Sequence, residues 1–572
     1  MLQPRPSAAL SSPGRGWLAL LRIVAMAMLA AWAAGCANLP TNVARPVSHA
    51  LEAPDDTALG RLVQQRRAQA TARSDSGFRL LDSVDMAFTS RLALIENAQR
   101  TLDLQYYAIH ADGSTEQLLE RIRAAAARGV RVRILLDDFN SVGADAQVLR
   151  LAFLNNVELR LYNPLPGSRR SLVGRIFTSL ADFGQVQKRM HNKLFIADNA
   201  WGIAGGRNLG DAYFGRGEDS NFVDLDVLAA GRIVRDMSAS FDTYWNNELA
   251  FPVESLLDKK DLDRLRTPLN AASAPDVSQT PQATQPARVT ATVTHTASVL
   301  PDVTTTGVQS RALDLQQVAL TWAPSALMVD KPGKVGPGDD EVDAGDTLID
   351  GLLALMGQAK TDLLIVSPYF VPGQPMMKVF ADLRQRGVRI RVLTNSLASN
   401  DAPAAHAGYA RYRKQLLALG VELYEMRAEQ EGSAGGLGSG INAHASKSAF
   451  GSGGGVGGSK ASTGRASLHS KAVIIDARLA VIGSMNLDLR SQLKNSEVAL
   501  VIRSPALSRD SIRLVENSLA KGAYRLEWTN GALHWRAPAG APFKDADSEP
   551  EASTKLKLLV NVLGPLAPDE ML

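Results

Sequence analysis

Arg189-Met190-His191-Asn192-Lys193-Leu194-Phe195-Ile196-Ala197-Asp198, followed by Gly205-Gly206-Arg207-Asn208, has a second copy in the same chain. That copy reads Leu468-His469-Ser470-Lys471-Ala472-Val473-Ile474-Ile475-Asp476, followed by Gly483-Ser484-Met485-Asn486. In both, a Lys stands two residues after the His, an Asp seven, a Gly fourteen and an Asn seventeen. A Lys and an Asp at fixed offsets from one His arise by chance on the order of once in a few hundred at ordinary composition. Two copies in one register are not chance. The apolar run after each Lys predicts a buried β-strand, where side chains alternate between faces. His191 and Lys193 then share a face, as do His469 and Lys471. Asp198 and Asp476 have the opposite parity and are expected to hold strand or loop rather than touch substrate. An imidazole titrating near neutrality can act as nucleophile, base or acid, and an ammonium beside it can neutralise a phosphoryl oxygen. A single His–Lys pair would read as a core histidine with a snorkelling neighbour; two copies point to one composite site.

The repeat extends beyond the motifs. A helical pattern covers Leu92 to Ala98, a strand Leu102 to Ile109, and a helix Glu116 to Arg128 ended by Gly129; an apolar strand Val130 to Leu136 closes on Asp137-Asp138, and Val157 to Tyr162 is another. In the second half Thr361 to Val366 answers the first strand and Met377 to Arg386 the helix. Gly387-Val388-Arg389-Ile390-Arg391-Val392-Leu393 answers Gly129-Val130-Arg131-Val132-Arg133-Ile134-Leu135, and Val421 to Tyr424 answers Val157 to Arg160. Strands alternating with helices predict an α/β half with a mixed sheet, present twice.

These residues resemble the phospholipase D superfamily, whose members carry two His-x-Lys-x4-Asp motifs, and the resemblance covers most of the chain from about residue 80. It implies two duplicated α/β/α sandwich domains with mixed sheets, one composite site between them, and phosphodiester transfer without a metal or other cofactor. The catalytic set carried over is His191, Lys193, Asp198, His469, Lys471 and Asp476, with Asn208 and Asn486 in support. One His attacks phosphorus to give a phosphohistidine, a covalent route that splits a hard displacement into two easier ones; the other protonates the leaving alcohol. His191 is assigned as nucleophile and His469 as acid/base. An acid beyond each motif, in a predicted strand, would orient the ring: Asp224 and Glu497. A surface carboxylate is the alternative reading of each. Asp401 to Arg413, with Ser367-Pro368-Tyr369-Phe370 before it and the tail around Trp535 and Glu549-Pro550, is similar to the C-like branch of bacterial cardiolipin synthases. That implies a lipid-headgroup pocket lined by Tyr369, His406, Tyr409 and Arg413, although His406 reads equally as structural. The activity implied is phosphatidyl transfer to a glycerol-type alcohol, giving cardiolipin from phosphatidylglycerol or phosphatidylethanolamine. A hydrolytic phospholipase D or nuclease with the same histidines is the alternative, and a catalytically dead phosphate-binding lipoprotein is disfavoured by the two intact His–Lys pairs.

Composition sets the remaining bounds. Apolar residues make up 45% and charged residues 21% of 572, as in globular chains. Residues 1–35 read as an export signal, with Arg5, Arg15 and Arg22 and an apolar run from Ile23 to Ala34 shorter than the ~20 residues of a membrane span. Ala33-Ala34-Gly35-Cys36 resembles a lipobox and implies a lipid anchor on Cys36, the sole cysteine, at the periplasmic face of the outer or the inner membrane. Removing the three leader arginines from 62 basic residues leaves 59 against 58 acidic, a net +1. Such a chain matches nucleic acid poorly and is expected to meet phospholipid membranes and anionic phospholipid substrates instead. Residues 36–78 read as a tether, 79–266 as the first domain, 267–315 as a low-complexity linker, 316–520 as the second domain and 521–572 as a C-terminal extension. Residues 428–467, with twelve glycines in forty positions, read as a flexible insertion without a packed core. No metal-ligand spacing is present.

Overall fold

Leu194–Ala197 and Ala472–Ile475 are apolar at every position because the strands they form are buried on both faces. In the computed structural model of the protein, each lies at the centre of a nine-stranded sheet. The structure describes residues 39–141, 145–165, 186–257, 262–263, 265, 311–336, 347–429, 436–439 and 465–563. The leader and Cys36 lie outside the described residues.

In the first sheet Thr101–Tyr106, Arg131–Asp137 and Val157–Tyr162 run parallel. The motif strand Leu194–Ala197 adds antiparallel to Thr101–Tyr106, followed by Trp201–Gly205, Asp226–Gly231 and Ser76–Leu81. The second sheet repeats this order. Asp362–Val366, Arg389–Asn395 and Glu422–Met426 are parallel. Ala472–Ile475, Leu479–Gly483, Val498–Arg503 and Ser325–Val329 then follow antiparallel. Parallel neighbours need a crossover, supplied by Gly113–Ala127 in the first half and Gly373–Gln385 in the second. Asp112 caps the first of these helices by accepting from the Thr115 N–H. Gly129 and Gly387, at φ +95° and +77°, turn the chain out of each helix through the left-handed region that favours glycine.

Several segments expected to hang from the domains are built into them. In the tether, Arg160 and Arg133 donate to the Pro46 and Ser48 carbonyls, and helix Ala58–Gln69 buries Leu59 and Val63 on the first half. The last described linker residues and the start of the segment expected in the second domain pack there too: Leu315 and Val318 are buried, Arg66 donates to the carbonyls of residues 315, 316 and 318, and Thr321–Trp322 pairs with Ser76–Leu81 of the first sheet. Within the Gly-rich insertion, Leu437 is buried, its N–H donates to Ser518 Oγ, and the Gly438 N–H donates to the Asp82 carbonyl. Residues 440–464 lie outside the described residues. The C-terminal extension adds strands Ala523–Thr529 and Ala532–Arg536 to the edge of the second sheet.

Two further sheets of two strands join the halves. Arg189–Met190 pairs in parallel with Asn495–Ser496, and Ser220–Val223 pairs in parallel with Arg465–Leu468.

Candidate active site

Parallel strands deliver their next residues to the same end, so each joining sheet brings a residue of one half against a residue of the other. Beyond Met190 and Ser496 come His191 and Glu497; beyond Leu468 and Val223 come His469 and Asp224. The His191 N–H donates to the Ser496 carbonyl at 2.9 Å and the His469 N–H to the Val223 carbonyl at 2.8 Å. With the backbones locked, His191 Nδ1 lies 3.0 and 2.9 Å from the two Glu497 oxygens, and His469 Nδ1 lies 2.6 Å from Asp224 Oδ2. The carboxylate of each half therefore holds the imidazole of the other. Both acids stand at a bend between two short strands, not inside one strand as the sequence predicts.

The carboxylates are themselves held. Glu497 accepts from Ser484 Oγ at 2.5 Å and Ser491 Oγ at 3.1 Å. Asp224 accepts from the Leu225 N–H at 2.7 Å. Gly206 occupies the position that answers Ser484, and a Cβ there would lie 2.3 Å from Asp224 Oδ1. Glycine is required by that close approach.

Each His–Lys pair lies in the short link just ahead of its motif strand, not within the strand that the sequence predicts, and both lysines still reach the histidine cluster. Lys193 Nζ donates to the His191 carbonyl at 2.8 Å, and Lys471 Nζ donates to the His469 carbonyl. All six side chains are buried, with both histidines under a tenth exposed. Burial lowers the Lys193 ammonium to about 7 and the Lys471 ammonium to about 8, against partial compensation from Glu497 and Asp224. Burial raises Glu497 to about 7 and raises Asp224 as well. Both imidazoles are held well below their ordinary value, first by burial and then by the two lysines. The site is built to accept negative charge.

Aromatic rings flank the pairs. Tyr107 stands edge-on to His191 at 5.1 Å, with Lys193 Nζ 5.6 Å from its centroid; Tyr213 and Phe222 lie 5.5 and 5.1 Å from His469. Asn208 accepts from the Ala108 N–H and donates to the Tyr213 hydroxyl at 2.9 Å, positioning that ring. Asn486, its counterpart, is buried with no partner on Oδ1 among the described residues. Tyr369 donates to Asp401 at 2.8 Å, and the Asp401 and Asp488 charges both act on Lys471. Sequence reasoning missed Tyr107, Tyr213 and Phe222. The repeat held a signal for Tyr107, which follows its strand much as Tyr369 follows the matching one.

Other residues from the sequence lie elsewhere. Asp198, at φ +50°, accepts from the N–H groups of residues 99, 100 and 101 at 2.9, 2.7 and 2.9 Å, at the far end of the motif strand from His191. Asp476, at φ +52°, does the same for residues 360 to 362. Neither belongs with the catalytic set, because a four-residue strand, ~13 Å long, separates each from its histidine. The expected headgroup pocket is also corrected. Arg413 is buried against Glu425 at 2.7 Å and Glu549 at 2.5 Å, and donates to His406 Nε2 at 2.9 Å. Tyr409 is buried beneath the Arg413 guanidinium. With its charge already matched by two carboxylates, Arg413 ties the C-terminal extension to the second half. Among the described residues, no three His, Cys, Asp or Glu side chains converge as a metal-binding group.

Known proteins resemble this chain in both halves. The family profile described as "Cardiolipin synthase, PLD-like domain" matches residues 92–245 and 352–518, one match per half. Cardiolipin synthase C of Escherichia coli is 37% identical over 462 residues, covering 80% of this chain and 87% of that protein. An uncharacterized protein of Helicobacter pylori is 29% identical over 88% of this chain and 91% of its own length. Among solved structures, the phosphatidylserine synthase of Haemophilus influenzae aligns over 81% of this chain and 91% of its own, at 14% identity and a TM-score of 0.47. With both halves matched and the duplicated mixed sheets in place, the chain belongs to the phospholipase D superfamily, in its cardiolipin synthase-like branch.

Proposed function

We propose that the protein transfers a phosphatidyl group between membrane phospholipids through a phosphohistidine, forming cardiolipin from phosphatidylglycerol or phosphatidylethanolamine. The observation that carries this reading is the pair of histidines, each held through Nδ1 by a buried carboxylate of the other half. A proton on Nδ1, shared with the carboxylate, leaves Nε2 of His191 with a lone pair directed away from Glu497. That nitrogen attacks phosphorus as the bond to the leaving alcohol breaks; His469, neutral in the empty site, takes up a proton when the phosphodiester anion enters, and gives its Nε2 proton to the departing oxygen. His469, now neutral, takes the proton of the acceptor hydroxyl, which attacks phosphorus and releases His191. Lys193 and Lys471 offset the charge that gathers on the phosphoryl oxygens, the part a metal plays elsewhere. Tyr107, Tyr213, Phe222 and Tyr369 form candidate walls that favour an alcohol over water at the intermediate; positioning supplies effective molarities far above the ~55 M of water.

The test is to add the purified protein to mixed phosphatidylglycerol and phosphatidylethanolamine liposomes, with and without chelator, and identify products by mass. Diphosphatidyl lipid at equal rates in both is the expected result. Phosphatidic acid alone would make the protein a hydrolase, and a rate restored only by added divalent metal would remove the lysines from their role. The similarity to cardiolipin synthase C supports the lipid substrate. The lipobox supports export and anchoring through Cys36. Cys36→Ala is expected to abolish acylation and release the processed chain to the soluble periplasmic fraction, and unchanged fractionation would count against that anchor.

A further inference from the structure

Helix Thr554–Leu563 is apolar on two sides, and only one of them is covered. Its Val560 is buried and Leu556 partly buried against Leu397 and Ala407. Lys555, Leu558, Leu559 and Val562, spaced as i, i+3, i+4 and i+7, form a second stripe. Leu558, Leu559 and Val562 are 65%, 44% and 52% exposed. A helix apolar around most of its circumference belongs in a protein core or at a lipid phase, and a solvated face gains nothing from such side chains.

A short chain of packed residues links the helix to the histidine cluster. Leu397, under Val560, lies two residues past Asn395, which grips Leu468 through both its N–H and its carbonyl, at 2.8 and 2.9 Å. Leu468 immediately precedes His469. Asp401, just ahead of the helix Pro403–Ala418 that carries Ala407, accepts from Tyr369 beside the site. The uncovered stripe is thus tied to the acid/base histidine through Leu397, Asn395 and Leu468. Its charge names the occupant. Helix Thr554–Leu563 carries Lys555 and Lys557 and no acidic residue. Two copies of this face would bring like charges together, whereas an anionic lipid surface complements them. Ten residues make about 15 Å of helix, half of a bilayer's hydrocarbon thickness, so the helix lies in the interface.

We infer that the stripe Leu558, Leu559 and Val562, flanked by Lys555 and Lys557, docks on the surface of an anionic phospholipid bilayer and sets the histidine site against its substrate layer. The inference rests on the phospholipid reading above. Its test uses the full-length chain and vesicles of phosphatidylglycerol and phosphatidylethanolamine. In vesicles carrying brominated acyl chains, Leu559→Trp fluorescence is expected to be quenched about threefold more than that of Val47→Trp, an exposed control on the first half, as befits an interfacial helix. The triple variant L558S/L559S/V562S is expected to turn over vesicle lipid about tenfold more slowly, for loss of three interfacial apolar side chains. On a dispersed short-chain phosphatidyl substrate it should match the parent. Equal quenching at 559 and 47, or equal loss on both substrate forms, overturns the inference. So does a stripe that Leu559→Trp shows to be buried in a dimer before vesicles are added. If the parent protein turns over neither substrate form, the catalytic reading fails, while the quenching comparison still decides whether this face meets lipid.

Discussion

Lys193 and Lys471 carry positive charge into a buried site whose carboxylates are drawn toward neutrality, and this asymmetry sets a pH dependence. The two ammonium groups fall to about 7 and about 8, so each loses its proton as pH rises through those values. A phosphoryl group meeting neutral amines has lost its counter-charge, and the acid role of His469 fails in the same direction. We expect kcat/KM to be highest at or below about pH 7, to fall about tenfold per unit between pH 7 and 8, and to fall about a hundredfold per unit above pH 8, where both ammonium protons are lost. A profile measured with saturated enzyme should fall later, since a bound phosphate holds protons on the lysines. A kcat/KM that stayed level to pH 10 would remove the lysines from the charge-bearing role. At this scale the sequence was legible in the repeat: the shared offsets marked both His–Lys pairs, which lie just ahead of the motif strands, and the aspartates, which fall just past the strands' far ends. Tyr107, Tyr213 and Phe222 were not legible, because they come from three different segments whose meeting depends on the whole sheet.

Asp198 and Asp476 show what the shared offset of seven is for. Each closes the turn after its motif strand in a left-handed conformation and satisfies three successive N–H groups at the start of the neighbouring strand. Asp198→Ala leaves the buried Thr101 N–H unpaired and the half-buried donors of Gln99 and Arg100 to water, and is expected to cost about 1–3 kcal/mol in urea unfolding while turnover per folded molecule changes about twofold at most. A loss of turnover without loss of stability would return Asp198 to the catalytic set. Arg413→Ala is expected to cost about 3–5 kcal/mol, since it strands Glu425 and Glu549 with no countercharge. The observable is a lower Tm with unaltered product identity in the folded fraction. A shift toward phosphatidic acid at unchanged Tm would instead restore Arg413 to the headgroup pocket. Strand and helix positions followed the sequence closely: the helix expected over Glu116 to Arg128 is Gly113–Ala127, and the strand expected over Val157 to Tyr162 is Val157–Tyr162. The packed segments 45–69 and 436–439 escaped notice because few or scattered apolar residues anchor them, whereas 523–536 did carry a signal, alternating Tyr524, Leu526 and Trp528 before an Asn530-Gly531 hairpin turn. Glycine content says what a segment lacks, not where its one leucine goes.

Over the whole chain, the two joining sheets make the halves inseparable, since each histidine depends on a carboxylate some 250 to 300 residues away in sequence. His191→Asn and His469→Asn are each expected to reduce turnover at least ~1000-fold with circular dichroism and Tm preserved, as when one member of a catalytic unit is removed. Mixing the two folded variants should restore nothing, because both histidines must belong to one chain. Recovery of activity on mixing would show that halves exchange between molecules. The reciprocal grip also bears on how such a chain can change over generations. A substitution at Asp224 is felt first by the second half's histidine, so the two repeats are a single unit of selection. Their supports have already parted: Glu497 leans on Ser484, whereas Asp224 leaves no room for a Cβ on Gly206. A gene conversion that copied the second repeat's tract over the first would place Ser against that carboxylate and break the pairing it copied. Tandem copies usually stay alike by such exchange; these two are kept distinct by the very contact that joins them.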